Sequence, residues 1–198
     1  MGEPKAGLDW HGSTLLHRTV TVLRQAVDGP VVVVKAPGQE LPAELGEVTV
    51  VEDPVEGLGP MQGLAAGLAA VREHAEVAFV AATDLPFLHP AFVRRILNAL
   101  PDGADVALPV ARGFRQPLAA AYRTSLVTLV ARLLAEGNLK LGMLFAHCRV
   151  VALDEQSLLD DETLAEHDPT LKSVVNVNTP EDYRAALACL EEHDAHRG

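Results

Sequence analysis

Val77-Ala78-Phe79-Val80-Ala81-Ala82-Thr83-Asp84-Leu85-Pro86-Phe87 decides how this chain is read. Six apolar residues run without interruption and lead into Thr83 and the carboxylate of Asp84. An unbroken apolar strand is buried on both faces, as strands inside an α/β sheet are. In open sheets of that kind, ligands bind outside the carboxyl ends of the strands, where Asp84 stands. Residues 31–34, 48–51, 106–108 and 150–153 repeat the pattern, with Pro109 closing the 106–108 run and 174–177 forming a short sixth strand. Amphipathic stretches separate them, and the spacing predicts helices over 15–27, 61–73, 92–100, 126–136 and 181–192. Pro60, Pro90 and Thr179-Pro180 mark starts, and Gly137 marks a stop. Strand–helix alternation of this kind implies an α/β fold with a largely parallel sheet.

Composition sets the outer bounds. The 198 residues suit one domain with a core that needs no staples. Residues 1–190 read as that domain and 191–198 as a flexible tail. Net charge is −11, which argues against a partner held through nucleic-acid phosphates. The acidic residues of 154–168 read as a solvated loop. No run approaches a membrane-spanning length, and Met1-Gly2-Glu3-Pro4-Lys5 lacks a charged region followed by an apolar stretch, so no secretory signal is expected there. Cys148 and Cys189 cannot build a disulfide framework, so a reducing, cytoplasmic setting is expected. The eight histidines show no metal-ligand spacing, and neither a G-x-S-x-G elbow nor a G-x-x-x-x-G-K-[ST] loop occurs.

Several short motifs are candidates for chemistry. Asp84, at the end of a central strand, suits a magnesium ion, which takes one or two carboxylates plus substrate phosphates. The competing reading is a turn cap. Glu52-Asp53 follows another strand and leads to Gly57-Leu58-Gly59-Pro60-Met61-Gln62-Gly63. Glycines ahead of a helix admit an anion to the backbone. Gly63 and Gly67, one helical turn apart, equally permit close helix–sheet packing. Lys5 lies in a Gly/Pro-containing start and carries a point charge suited to phosphate; taken alone, it reads as a solvated terminal charge. On a strand, Asn176 and Asn178 at period two would face the same side, and amides read heterocycle edges. The alternative there is a helix cap.

The ordered set Met1-Gly2-x-x-Lys5-Ala6, Glu52-Asp53, Gly59-Pro60-x-x-Gly63, Thr83-Asp84-Leu85-Pro86-Phe87-Leu88, Gln116-Pro117-Leu118 and Asn176-Val177-Asn178-Thr179-Pro180-Glu181-Asp182 resembles the nucleotidyltransferases of molybdenum-cofactor maturation, the guanylyltransferases above all. The resemblance implies a Rossmann-like, three-layer nucleotidyltransferase fold with a mostly parallel sheet. It implies transfer of GMP from GTP to molybdopterin with release of pyrophosphate, Mg2+ as cofactor, and transient contact with enzymes that make or accept the cofactor. It makes Asp84 the metal-binding and catalytic aspartate and Lys5 a catalytic contact to nucleotide phosphate. Asp53 falls at the nucleotide, and Asn176 and Asn178 fall near the acceptor. The family pattern places a strand and a Gly-rich loop before Met-Gly, so the resemblance implies a start upstream of Met1, and a chain without that segment would be weak or inactive. Lys35 stands where the guanylyltransferases often carry Asn. Met-Gly-x-Pro-Lys and Trp10-His11-Gly12 also resemble the CTP-using branch. A transferase for another phosphorylated small molecule, and a non-catalytic binding domain, complete the alternatives.

Overall fold

The computed structural model describes residues 7–10, 12–43, 45–53 and 59–195. In chain order the elements are β1 (Asp9–Trp10), β2 (Ser13–Thr14), α1 (Leu15–Ala26), β3 (Val32–Lys35), β4 (Thr49–Glu52), α2 (Pro60–Val71), β5 (Val77–Ala81) and α3 (Pro90–Asn98). There follow β6 (Val106–Ala111), β7 (Phe114–Arg115), β8 (Ala119–Arg123), α4 (Val127–Ala135), α5 (Leu141–Leu144), β9 (Val150–Leu153), α6 (Glu155–Leu159), α7 (Glu162–His167) and α8 (Pro180–Ala195). The five longer strands and five longer helices expected from the sequence are all present. Residues 174–177 are not a strand: a 3-10 turn over Lys172–Val174 leads into irregular chain. Helix α8 continues through 191–195, within the stretch expected to be a tail.

The expectation of a mostly parallel sheet is wrong. Among the described pairings β3–β4 and β6–β9 are parallel, whereas β1–β2, β5–β8, β6–β7 and β6–β8 are antiparallel. The physical reason is β8, which enters antiparallel between β5 and β6. Its Ala119-Ala120-Ala121-Tyr122-Arg123 carries little of the β-branched signal that marks the other strands. Tertiary burial overrides that weak propensity. Ala119 and Ala121 join the core on one face, and Ala120 and Tyr122 join the core on the other. Tyr122 is fully buried, and its hydroxyl donates to the Pro117 carbonyl at 2.7 Å.

The hairpin ahead of β8 makes the reversal. Strand β6 runs through Pro109, whose carbonyl accepts the Gln116 N–H at 2.9 Å, and turns at Arg112-Gly113. Both turn residues have left-handed backbone, φ 56° and 80°, as a two-residue type I′ connection requires.

Helices cover both faces. Helices α1, α3, α6 and α7 pack over Ala107, Ala119 and Ala121 through Val22, Phe92, Ile96, Leu158 and Leu164. Helices α2, α4 and α5 pack over Val106, Leu108 and Tyr122 through Met61, Leu68, Leu133 and Leu144. Segment 154–168, expected to be a solvated loop, is the pair α6–α7. Asp154 and Asp161 cap the two helices, accepting the N–H groups of Ser157 and Leu164 at 2.8 Å each. The acidic residues that suggested a loop are therefore partly caps, which Asp serves well.

His89 opens α3: its Nδ1 accepts the Ala91 N–H at 3.2 Å, and its ring stacks on His167 with centroids 5.0 Å apart. Burial lowers its pKa, neighbouring His167 adds to the lowering, Asp168 opposes it, and Arg94 and Arg18 add smaller lowering effects. The folded protein thus keeps His89 neutral where the unfolded chain binds a proton. Its contribution is complete above the ordinary value of 6.5 and is lost as pH falls below it. Stability is expected to decline from pH 7 to pH 5, and His89→Asn, which keeps a cap oxygen without titrating, should flatten that decline. Urea midpoints across this range check it.

Candidate active site at the carboxyl end of β5

Strand β5 delivers Thr83 and Asp84 into a tight turn. The turn is fastened from two sides. Arg18 on α1 donates its Nε–H to the Pro86 carbonyl, and burial lowers the pKa of that guanidinium. From the other side the irregular chain after the 3-10 turn returns to the strand end. The Val177 N–H donates to the Asp84 carbonyl at 3.0 Å, and Asn176 Nδ2 donates to Asp84 Oδ1 at 3.1 Å. The half-buried Asp84 carboxylate is therefore held in direction by an amide 92 residues away in sequence. Behind it, Trp10, Leu15, Val177 and Ala186 form a small core that ties the N-terminal segment and α8 to the site. Trp10 meets Phe87 edge-on, with centroids 5.8 Å apart.

The other expected residues fall as follows. Asn178 lies one step past this contact, exposed, and its backbone N–H donates to Asp182 Oδ2 at 3.1 Å. Asp182 also accepts from Thr179 N–H and donates its own N–H to Thr179 Oγ1, so Asn178-Thr179-Pro180 builds the α8 cap. Asp53 stands at the end of β4, its N–H on the Lys35 carbonyl at 2.8 Å. The structure joins Asp84 to Asn176, and leaves Asp53 on the β3–β4 pair. Lys5 lies outside the described residues. Lys35 faces Glu52 across that pair, with Nζ to Oε1 2.8 Å. Among the described residues no three His, Cys, Asp or Glu side chains gather in a metal-binding cluster. No helix there is long and apolar enough to cross a membrane.

Gly59 precedes α2 with φ 76°, a left-handed conformation that glycine adopts without strain. A Cβ on Gly67 would lie 3.5 Å from Val34 Cγ2, and one on Gly63 would lie 4.0 Å from Val34 Cγ1. These two glycines therefore seat α2 against β3, which is the packing alternative. Arg18 is the residue that reading the sequence missed. Nothing in its spacing on the α1 surface marks it, because its partner is a backbone carbonyl 68 positions away.

The family model described as a MobA-like NTP transferase domain matches residues 1–151. A relative from Bacillus cytotoxicus named "Probable molybdenum cofactor guanylyltransferase" is 31% identical over 197 residues, spanning 96% of this chain and 92% of the relative. A protein of the same name from Mycolicibacterium paratuberculosis is 36% identical over 191 residues, spanning 93% and 87%. Among solved structures, molybdopterin-guanine dinucleotide biosynthesis protein A from Archaeoglobus fulgidus superposes with a TM-score of 0.72 at 23% identity, over 96% of this chain and 92% of its own. The 2-C-methyl-D-erythritol 4-phosphate cytidylyltransferase of Thermus thermophilus superposes with a TM-score of 0.65 at 22% identity, over 95% and 94%. Those two likenesses establish the fold, and the second shows that the fold alone does not choose the base. The family match across residues 1–151 and the near full-length relatives agree: the chain belongs to the MobA-like NTP transferase domain family.

Proposed function

We propose that this nucleotidyltransferase moves GMP from GTP to molybdopterin and releases pyrophosphate. The observation that carries the reading is the Asp84–Asn176 pair at the carboxyl end of β5, in a chain whose relatives bear the guanylyltransferase name. A phosphate oxygen of the acceptor attacks the α-phosphorus of GTP, and the bond from that phosphorus to the bridging oxygen breaks. The attacking group is already anionic, so no strong general base is required. Alignment and charge neutralisation supply the rate.

Asn176 orients Asp84, and Asn176 and Asn178 face the acceptor side. Asp53 lies on the nucleotide side and Lys5 contacts the phosphates. The donor set suits magnesium. Asp84 offers one hard carboxylate, and nucleotide phosphates and water would complete the sphere. Bound there, the ion would neutralise charge on the phosphates. The setting is cytoplasmic, with transient contacts to enzymes that make or accept the cofactor.

Thermal unfolding with GTP, CTP, ATP and UTP, each with and without magnesium, tests the reading. A ligand at 100 times its Kd adds ~2.7 kcal/mol, or roughly 5–10 °C for a domain of this size. The expected result is a magnesium-dependent shift with GTP. A shift confined to CTP would assign the chain to cytidylyl transfer instead.

A further inference from the structure

Phe114 is out of place for a folded protein. It is 73% exposed, against 44% for Val50 and 42% for Met143, the other large apolar side chains open to solvent among the described residues. An aromatic ring left in water contributes no burial to the fold. Its hairpin is also a costly shape, because Arg112, with φ 56°, holds a left-handed backbone that side-chain-bearing residues rarely adopt. The tip is nonetheless braced. The Arg112 N–H donates to Glu155 Oε1 at 2.6 Å, and Arg112 Nη1 donates to the Thr170 carbonyl at 3.4 Å. Gln116 Nε2 donates to the Ala111 carbonyl at 3.1 Å. An exposed ring on a fixed support is preorganised for a ligand.

The hairpin stands at the end of the sheet where Asp84 stands. Strands β5 and β6 both run antiparallel to β8, so their carboxyl ends lie together. The Leu118 carbonyl accepts the Ala82 N–H at 2.9 Å, two positions before Asp84. From Leu118 to Phe114 the chain covers at most ~14 Å. Phe114 pairs with Ala111, and paired residues project from one face. Ala111 belongs to the core that holds Leu171 and Val174, on the segment that carries Asn176 to Asp84. Asp53 is elsewhere, on the β3–β4 pair, which no described ladder joins to β6 or β8. A nucleotide held by Asp53 therefore leaves the hairpin flank of Asp84 to the acceptor.

We propose that Phe114 is the stacking platform for the planar heterocycle of the acceptor, holding it while its phosphate reaches the site at Asp84. A pterin offers a flat π face, and aromatic rings stack on such faces with little demand for hydrogen-bond geometry. The charge around the ring suits an anionic acceptor. Residues 110–118 include Arg112 and Arg115 and no acid, in a chain of net charge −11. Arg115 has no hydrogen-bond or ion-pair partner among the described residues. Two guanidiniums at the tip draw a phosphorylated molecule to this side. The inference takes its acceptor from the transfer reading and rests on it.

The test compares the parent with Phe114→Ala, Phe114→Leu and Phe114→Tyr, reading KM for molybdopterin and for GTP. Binding of molybdopterin is read separately from its pterin fluorescence. Phe114→Ala should raise both the KM and the Kd for molybdopterin roughly 5- to 100-fold, the range that removing one stacked aromatic covers. The KM for GTP should move less than about twofold. Phe114→Tyr should restore the acceptor KM, and Phe114→Leu, apolar but without a π face, should not. Unfolding midpoints should stay together, because the side chain is exposed. A parent that forms the GMP adduct while Phe114→Ala leaves acceptor binding unchanged overturns the stacking proposal and leaves the transfer reading standing. Full rescue by Phe114→Leu, or an equal rise in the KM for GTP, also overturns it. A parent that binds molybdopterin through Phe114 but forms no adduct overturns the transfer reading alone. A folded parent that does not bind molybdopterin overturns both.

Discussion

Asp84→Asn lowers nucleotide transfer at least ~100-fold, the scale on which removing one preorganised charge-stabilising group acts in other enzymes. The substitution keeps the side-chain shape and an oxygen that can accept from Asn176 Nδ2, now 3.1 Å away. It removes only the negative charge. The half-buried position and the retained Val177–Asp84 backbone bond predict a folded protein with an unfolding midpoint close to the parent's. Pyrophosphate release measured over a magnesium titration checks this. Excess metal should restore part of the rate if the lost charge serves metal binding. An Asp84→Asn protein that retains full activity would remove Asp84 from the catalytic machinery.

Leu164→Ala destabilises the protein by ~2–5 kcal/mol, the usual cost of emptying a fully buried leucine site. Leu164 on α7 is 0% exposed and joins the core that includes Phe92, Ile96 and Leu158. If residues 154–168 were a solvated loop, the same change would fall within ~0.5 kcal/mol. Urea unfolding with the denaturant slope held in view separates the two. The outcome bears on the site as well. Helix α7 leads to Asp168, whose carboxylate accepts the Lys172 and Ser173 N–H groups at 2.6 and 2.9 Å. That turn begins the segment that carries Asn176 to Asp84. Loosening α7 is expected to reduce transfer along with stability.

The sequence was most legible where one residue type served one purpose. Runs of valine marked β3, β4 and β9 because branched side chains favour the extended chain of a strand, although β4 is largely exposed rather than buried on both faces. Proline and glycine marked the helix ends because their backbone preferences are local. Strand β8 was hidden because its alanines pack by smallness between two layers of helix, which is a property of the neighbours. The Arg112-Gly113 hairpin did carry a local signal, two turn residues between Val110-Ala111 and Phe114-Arg115, and it would have revealed the reversal of direction.

At the site, the strand end made Asp84 visible and the period-two asparagines made Asn176 visible. Their contact joins residues far apart in the chain, so spacing could not disclose it. Arg18 was invisible for the same reason, since its partner is a main-chain oxygen. The acidic segment was misread because capping aspartates and solvated aspartates look alike in composition. Leu158 and Leu164, five and eleven positions past the end of β9, are the fully buried residues of that segment.

The most direct test supplies molybdopterin with an equimolar mixture of GTP and CTP and identifies the product by mass. The account predicts a GMP adduct of molybdopterin formed together with pyrophosphate, and loss of both on Asp84→Asn. A CMP adduct, or an unmodified acceptor from a protein whose intact mass and folding are verified, would contradict it.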